Sequence, residues 1–306
     1  MDVVSDGEFL FAVQNSEQYP RGRVCKADAN GNILCSFSGI GNARQIGIID
    51  GVIVVSARED GLWLLSSDDL SPYSHYKTVE FATGVTLCSG FAFISCRQFG
   101  VEIVDIGDPR KPIHIGLIRI GEAQSACVSD GYLFGGIWGE MAVAVVDIRD
   151  LSSPKPVTKI ELQGRGDGVV VKDGILYAAI GQHRRGIRNV ADENDEFFSM
   201  GNGFEVFDVS DIDNIRKIGT VFTANGYSPS FDTWKTYLSS DVLLAANSIL
   251  GLYAFRKGSF PAISRFPAGG PGGSRRCDRS GGLQGKTIYR HGTRRTLRSR
   301  RQRAHL

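Results

Sequence analysis

The sequence lacks the features that mark several large classes of protein. Its 306 residues contain no apolar stretch near the roughly 20 residues that a membrane-spanning helix needs. None of its six cysteines belongs to a C-x-x-C pair, so we expect no metal site and no cofactor. The first residues have neither a basic region nor a long apolar region, and we therefore expect a cytoplasmic protein without a secretory signal.

The near-neutral net charge of +2 hides two different kinds of sequence. Residues 265–306 contain 12 of the 35 basic residues and one of the 33 acidic residues, Asp278. Subtracting them leaves 23 basic and 32 acidic residues, a balance of −9, in residues 1–264. The division predicts a folded acidic domain followed by a segment with a different origin or role.

One sequence element recurs through the acidic part. A short apolar run, an Asp-Gly or Ser-Gly pair and a second apolar run appear in VVSDGEFLFAV, GIIDGVIVVSA, TLCSGFAFISC, ACVSDGYLFGGI and VVVKDGILYAAI. The turn glycines are Gly7, Gly51, Gly90, Gly131 and Gly174, spaced 44, 39, 41 and 43 residues apart, and a sixth copy has Asp241 in the same place. Such pairs favour the type I′ turn of a two-residue β-hairpin.

A second element follows each hairpin and predicts two further strands. It begins at a small residue, and an apolar strand then ends at Asp105, Asp147 or Asp208, whose carboxylate can accept backbone N–H groups in an Asx-type turn. Four short strands about every 40 residues are typical of a propeller blade. We therefore predict an all-β propeller of six four-stranded blades, with an incomplete seventh blade and a β-sandwich as alternatives.

Three copies of the second element resemble a known family. VEIVDIGDPRKP, VAVVDIRDLSSPKP and FEVFDVSD are similar to the LVIVD repeats of bacterial and archaeal proteins. The resemblance covers roughly residues 40–255 and departs from the pattern at Ser66 and Arg256, which replace the strand-ending Asp. It implies a propeller fold. Many relatives are exported and few have an assigned activity, so the resemblance implies little about function.

The predicted domain is residues 1–266, with blades at about 1–43, 44–82, 83–123, 124–165, 166–227 and 228–266. Residues 267–306 form an arginine-rich tail with 10 Arg and one Lys, which we expect to be disordered and dispensable for the fold. The abrupt end of the repeat and the arginine bias favour an out-of-frame translation, and a genuine basic arm is the alternative.

One face of the propeller is the candidate binding surface. The blade-to-blade connections and the turns between second and third strands open on this face, and blade five adds about 20 residues there. Our candidate ligand-binding residues are Arg44, Gln45, Arg97, Gln124, Trp138, Asp167, His183 and Arg185. Arg58 and Thr83 belong to the same connections. The alternative is that these side chains are ordinary solvated loop residues.

The leading functional hypothesis is a monomeric, non-enzymatic binding or scaffold protein that uses this face for a protein or a small polar ligand. We assign no catalytic residue, because His183 has no evident carboxylate to orient it and no nucleophile beside it. Two alternatives stay open: a hydrolase or lyase acting on a sugar or lactone, and a nucleic-acid-associated protein acting through the tail. The scarcity of lysine in the tail argues against nucleic acid.

Overall fold

The computed structural model describes residues 2–18, 20–181, 203–222, 233–239, 242–247 and 251–256. These residues form six antiparallel sheets placed side by side in a circle, the predicted six-bladed β-propeller. The helical content of the described residues is a single 3₁₀ turn, Ile212–Asn214. Among these residues, no helix is long and apolar enough to cross a membrane.

Each blade is built from strands that follow one another in the chain. Blade one contains β1 (Asp2–Ser5), β2 (Leu10–Asn15), β3 (Gly22–Ala27) and β4 (Ile33–Ile40). Blade two contains β5 (Gln45–Ile49), β6 (Val52–Ser56), β7 (Leu62–Ser66) and β8 (Pro72–Tyr76). Blade three contains β9 (Gly84–Cys88), β10 (Phe91–Ser95), β11 (Val101–Asp105) and β12 (Ile113–Ile118).

The last three blades continue the pattern. Blade four contains β13 (Ala123–Ser129), β14 (Tyr132–Ile137), β15 (Ala142–Asp147) and β16 (Lys155–Glu161). Blade five contains β17 (Arg165–Lys172), β18 (Ile175–Gly181), β19 (Gly203–Asp208) and β20 (Arg216–Phe222). Blade six contains, within the described residues, β21 (Thr233–Ser239), β22 (Val242–Asn247) and β23 (Gly251–Arg256).

The turn glycines behave as the repeat predicts in blades two to five. Gly51, Gly90, Gly131 and Gly174 have φ of +77°, +79°, +80° and +72°, and the residue before each also has positive φ, which defines a type I′ turn. The carbonyl of each glycine accepts the amide that follows the third strand of its blade. These turns therefore lie at one end of the blades, here called the bottom face.

The first hairpin differs from the other four. Its loop is longer, and Gly7 has φ of +100° while Asp6 does not have positive φ. The Asp6 carboxylate accepts the amides of Glu8 and Phe9 at 2.9 and 2.7 Å. These side-chain contacts close the loop in place of a type I′ turn, so the two-residue turn predicted at Gly7 is wrong.

The strand-ending aspartates close Asx turns on the bottom face, as predicted. Asp105, Asp147 and Asp208 each accept the amide two residues later, at 2.8 to 3.1 Å. Ser66 accepts the amide of Asp68 in the same way at 3.1 Å, so the serine preserves the turn where blade two departs from the repeat.

The Asp147 turn is also sensitive to acid. Hydrogen bonds from the side chain and amide of Arg149 lower the pKa of Asp147 from 3.8 to about 2. Because the folded value is the lower one, this contribution to stability is present above pH 3.8 and is lost as the pH falls through about 2.

Within the part of the chain that the structure describes, the hydrophobic core forms five layers, each between two neighbouring blades. Successive residues of one strand enter different layers: Phe93 packs against blade four, whereas Ala92 and Ile94 pack against blade two. A sheet between two other sheets buries both of its faces, which explains why the inner three strands of each blade are so apolar.

Asp2 connects the last blade to the first. Its carboxylate accepts Lys235 Nζ of β21 at 2.5 Å and the amide of Ile46 of β5 at 3.2 Å. One side chain thus joins the innermost strands of blades six, one and two.

Replacing Gly90 with valine tests the backbone requirement of the turns. A Cβ at Gly90 would have no atom within 4 Å, so the cost comes from positive φ alone. We expect Gly90→Val to lower the free energy of unfolding by about 1 kcal/mol or more, measured by urea titration. A change below about 0.3 kcal/mol would contradict the left-handed conformation at this position.

Two predicted segments lie outside the described residues. The blade-five insertion connects β18 to β19, the second and third strands of its blade, but its own residues 182–202 are not described. The tail, residues 267–306, and the predicted domain boundary at 266 also lie outside, as does Asp241. What was predicted of these segments stays a prediction.

Candidate functional site

The top face, opposite the hairpin turns, contains a cavity of about 290 Å³ at the mouth of the central channel. Blade-to-blade connections, turns between second and third strands and the starts of innermost strands all contribute side chains. The lining residues are Arg44, Arg58, Phe81, Thr83, Arg97, Glu122, Gln124, Trp138 and Trp234. Four of the predicted ligand-binding residues meet here: Arg44, Arg97, Gln124 and Trp138.

Arg58 and Arg97 occupy equivalent turns in blades two and three. Both have positive φ, +51° and +41°, which is uncommon for residues other than glycine. Arg58 exchanges two backbone hydrogen bonds with Ala82, and Arg97 forms an antiparallel bridge with Ala123. The connection that enters the next blade therefore holds each arginine in this conformation. Strained conformations held by surrounding structure are concentrated at binding and catalytic sites.

Glu122 is the carboxylate of the lining, and it faces two of the other lining residues. Its Oε1 lies 3.7 Å from Arg97 Nε and accepts the side-chain amide of Gln124 at 3.4 Å. The Arg97 guanidinium also lies 5.7 Å from the centre of the Phe81 ring. Arg44 is half-buried, and among the described residues its guanidinium has no hydrogen-bond or ion-pair partner.

β-bulges shape the innermost strands of blades four, five and six at their top ends. The register of β13 shifts at Gln124, that of β17 at Asp167 and Gly168, and that of β21 at Trp234. The innermost strands of blades one, two and three pair without a shift. A bulge inserts an extra residue and changes the direction of its side chain. Gln124 and Trp234, both at bulges, line the cavity.

Two tryptophans stack at the edge of the cavity. The rings of Trp138 and Trp234 are nearly parallel, at 9°, with centroids 5.8 Å apart. Trp138 is 7% exposed and Trp234 is half-buried. Arg165 Nη1 donates to the carbonyl oxygens of Trp138 and Gly139, at 3.3 and 3.1 Å, and so fixes the turn that positions Trp138.

Glycines behind the bulges allow the strands to approach closely. A Cβ at Gly168 would lie 2.6 Å from Lys235 Cα and 2.7 Å from the carbonyl oxygen of Trp234. A Cβ at Gly136 of β14 would lie 2.1 Å from the carbonyl oxygen of Asp167. Both contacts are with backbone atoms, which cannot rotate away. The bulge of β21 therefore requires glycine at position 168, and the bulge of β17 requires glycine at position 136.

The other predicted site residues lie elsewhere. Gln45 accepts the amide of Val85 at 3.2 Å and so joins blade two to blade three beside the cavity lining. Asp167 is 6% exposed within the β17 bulge and does not line the cavity. His183 and Arg185 lie outside the described residues.

Sequence reasoning missed Phe81, Glu122 and Trp234. Phe81 and Glu122 belong to the blade-to-blade connections that were correctly placed on this face, so their position was available in the sequence. Trp234 occupies the second position of a strand, and only the bulge brings it to the cavity.

A second polar cluster lies between blades two and three, and it was not predicted. Glu102 is 0% exposed and accepts hydrogen bonds from Tyr76 Oη at 2.7 Å and the amide of Val79 at 2.9 Å. His114 Nδ1 lies 2.9 Å from the same carboxylate. Burial and the hydrogen bond to Glu102 raise the pKa of Tyr76, so Tyr76 stays a donor.

Two thiols between the blades, those of Cys96 and Cys127, are not activated as nucleophiles. Burial, followed by the charge of Glu102, raises the pKa of Cys96, and Cys96 is 0% exposed. Burial raises the pKa of Cys127 to about 12. Both residues therefore remain protonated at neutral pH, and the cluster around Glu102 is a structural contact between blades.

Comparison with protein families identifies the repeats. Residues 81–118 and 120–160 each match the LVIVD repeat. Two of the six blades therefore match the LVIVD repeat. The two matches coincide with blades three and four, so one LVIVD repeat corresponds to one four-stranded blade. No curated protein matches the sequence closely enough to count as a relative.

Solved structures share the fold of this chain at low sequence identity. The computationally designed protein Ika8 has a TM-score of 0.56 and 10% identity, over 85% of this chain and 72% of Ika8. BamB from Moraxella catarrhalis has a TM-score of 0.54 and 15% identity, over 83% of this chain and 69% of BamB. Similarity at this level supports the fold alone.

Proposed function

We propose that the protein is a binding module whose channel mouth takes a small anionic ligand. The observation that carries the proposal is the charge of the cavity lining. Among the described lining residues, the guanidinium groups of Arg44, Arg58 and Arg97 share about 290 Å³ with one carboxylate, that of Glu122. Arginine suits this role because its planar group can donate two parallel hydrogen bonds to a carboxylate or a phosphate.

Arg44 is the residue from which we expect the largest contribution. Arg97 already faces Glu122 at 3.7 Å, whereas the Arg44 side chain has no partner among the described residues. A ligand oxygen would therefore meet Arg44 without first breaking an ion pair within the described lining. The cavity lies at the lower end of the range of roughly 300–1,000 Å³ for ligand sites, which favours a small molecule over a polymer.

The lining favours binding over catalysis. The hydroxyl of Thr83 donates to the carbonyl oxygens of Ser95 and Ala123, at 2.9 and 3.2 Å, and is not placed as a nucleophile. Glu122 is the one carboxylate among the described lining residues, whereas sugar hydrolysis generally uses a pair.

Replacing Arg44 tests the proposal directly. We expect Arg44→Ala to weaken the binding of inorganic phosphate, or of a carboxylate such as citrate, by about 1–3 kcal/mol, the range for a hydrogen bond to a charged group. Isothermal titration calorimetry with the full chain measures the change.

The matched control is Arg149→Ala, which removes an arginine from the bottom face. Arg149 is exposed and forms an ion pair with Asp147 of its own turn, far from the mouth. Its removal should leave the affinity unchanged. Equal affinities of the native protein and Arg44→Ala, or equal losses in the two variants, would mean that the mouth does not select anions.

A further inference from the structure

The lining of the mouth has two chemically different sides. The three arginines come from blades two and three: Arg44 precedes β5, Arg58 follows β6 and Arg97 follows β10. The two tryptophans come from the other half of the circle, Trp138 after β14 in blade four and Trp234 in β21 of blade six. A ligand that fills the mouth would thus contact cationic groups at one end and indole rings at the other.

The tryptophan pair is arranged as a platform. Trp138 is almost fully buried and lies parallel to Trp234, with 5.8 Å between the centroids, which is an offset stack. Trp138 therefore supports the ring of Trp234, which is half-buried and borders the cavity. Gly168 of β17 packs closely against the backbone of Trp234 and Lys235, and this contact holds β21 in place. A rigid aromatic surface of this kind favours a flat ring in the ligand.

We propose that the ligand is a small molecule in which one planar aromatic ring is joined to one anionic group, a carboxylate or a phosphate. The ring stacks on Trp234, and the anionic group binds Arg44 between blades two and three. This inference rests on the proposed function and adds the ring to it. The size of the cavity suits a single ring with its anionic substituent.

The contributions of the aromatic ring and of the anionic group can be measured separately with four compounds: phenyl phosphate, cyclohexyl phosphate, inorganic phosphate and phenol. Calorimetry with the full chain should show phenyl phosphate binding about 3- to 10-fold tighter than either other phosphate, the gain expected from an aromatic stack. Phenol should bind more weakly than phenyl phosphate. Because the chain has three tryptophans and two border the mouth, phenyl phosphate should also change the tryptophan fluorescence.

Variants at Trp234 test the platform. Trp234→Leu should weaken the binding of phenyl phosphate about 3- to 10-fold more than the binding of inorganic phosphate, and so remove the advantage of phenyl phosphate. Trp234→Phe keeps a ring and should retain part of the advantage, which separates loss of stacking from a folding defect. The control is Trp63→Phe, since Trp63 stacks on His75 in blade two and does not line the cavity.

The outcomes distinguish the two proposals. The proposal of an aromatic ring in the ligand is wrong if phenyl phosphate binds no tighter than cyclohexyl phosphate. It is also wrong if phenyl phosphate still binds tighter than inorganic phosphate to the Trp234→Leu variant. The proposed function then survives provided that phosphate binding still depends on Arg44. If none of the phosphates binds in a way that depends on Arg44, both proposals are wrong.

Discussion

Gly136→Ala is expected to lower the free energy of unfolding by about 3 kcal/mol or more, at the upper end of the range for overpacking. The added methyl carbon would lie 2.1 Å from the carbonyl oxygen of Asp167 and 3.1 Å from its carbonyl carbon. Both atoms belong to the backbone of the β17 bulge. Relief of the clash therefore requires blade five to move away from blade four, which opens the hydrophobic layer between them.

The matched control is Gly116→Ala in the outermost strand of blade three. A Cβ at Gly116 has no atom within 4 Å, and its φ is not positive. Removing a strand glycine there should leave stability unchanged or raise it by about 0.4–1 kcal/mol. Urea titration of both variants measures the difference. Similar midpoints for the two variants would show that blades four and five do not pack as closely as described.

Glu102→Ala is expected to lower the free energy of unfolding by about 2–6 kcal/mol, the sum for two donors that lose their acceptor. The carboxylate is fully buried and accepts the hydroxyl of Tyr76 and the amide of Val79, both of which precede blade three in the chain. Removing it leaves these donors without an acceptor between two blades. Leaving a buried donor unpaired costs about 1–3 kcal/mol each.

Two variants separate the charge of Glu102 from its hydrogen bonds. Glu102→Gln keeps an acceptor oxygen and should cost only about 1–2 kcal/mol, the difference between charged and neutral hydrogen bonds. Glu161→Ala removes an exposed carboxylate from β16 and should stay within about 0.5 kcal/mol of the native protein. A cost below about 1 kcal/mol for Glu102→Ala would mean that the carboxylate does not join the blades.

The same arrangement recurs in blade five. Glu205 is also 0% exposed, and it accepts the amide of Gln163, which precedes β17, at 3.3 Å. Its side-chain partner is Lys217, whose Nζ lies 2.5 Å from the carboxylate and which is twelve residues further on, as His114 is twelve residues after Glu102. The glutamate thus occupies the same place in blades three and five, and Glu205→Ala should be destabilising for the same reason.

Local chemistry explains how much of the fold was predictable. An Asp-Gly pair fixes a type I′ turn through the conformations of two neighbouring residues, so its repetition at Gly51, Gly131 and Gly174 predicted both the hairpins and their common face. In the sequence, Ser66 departs from the pattern of strand-ending aspartates. In the structure its hydroxyl accepts the amide two residues later, as the carboxylate of an aspartate does in the other blades.

Three of the four predicted residues that line the mouth belong to connections between strands, and the fourth, Gln124, lies in β13. Arg44, Arg97 and Trp138 lie in such connections, and the structure brings them to the cavity. Gln45 and Trp234 lie within strands, where the pairing register decides which way the side chain faces. No local pattern in the sequence marks the bulge at Trp234 or the bond between Gln45 and Val85.

The bulges in blades four to six separate the side chains that line the cavity from the contacts that stabilise the fold. The extra residue of a bulge has no opposite partner in the ladder. Its side chain can therefore vary without disturbing the pairing below it. Gln124 and Trp234 are two such residues, and each is held by backbone contacts that do not depend on the side chain. A substitution at either position therefore changes the lining of the cavity while the ladders and turns of the blades keep their contacts.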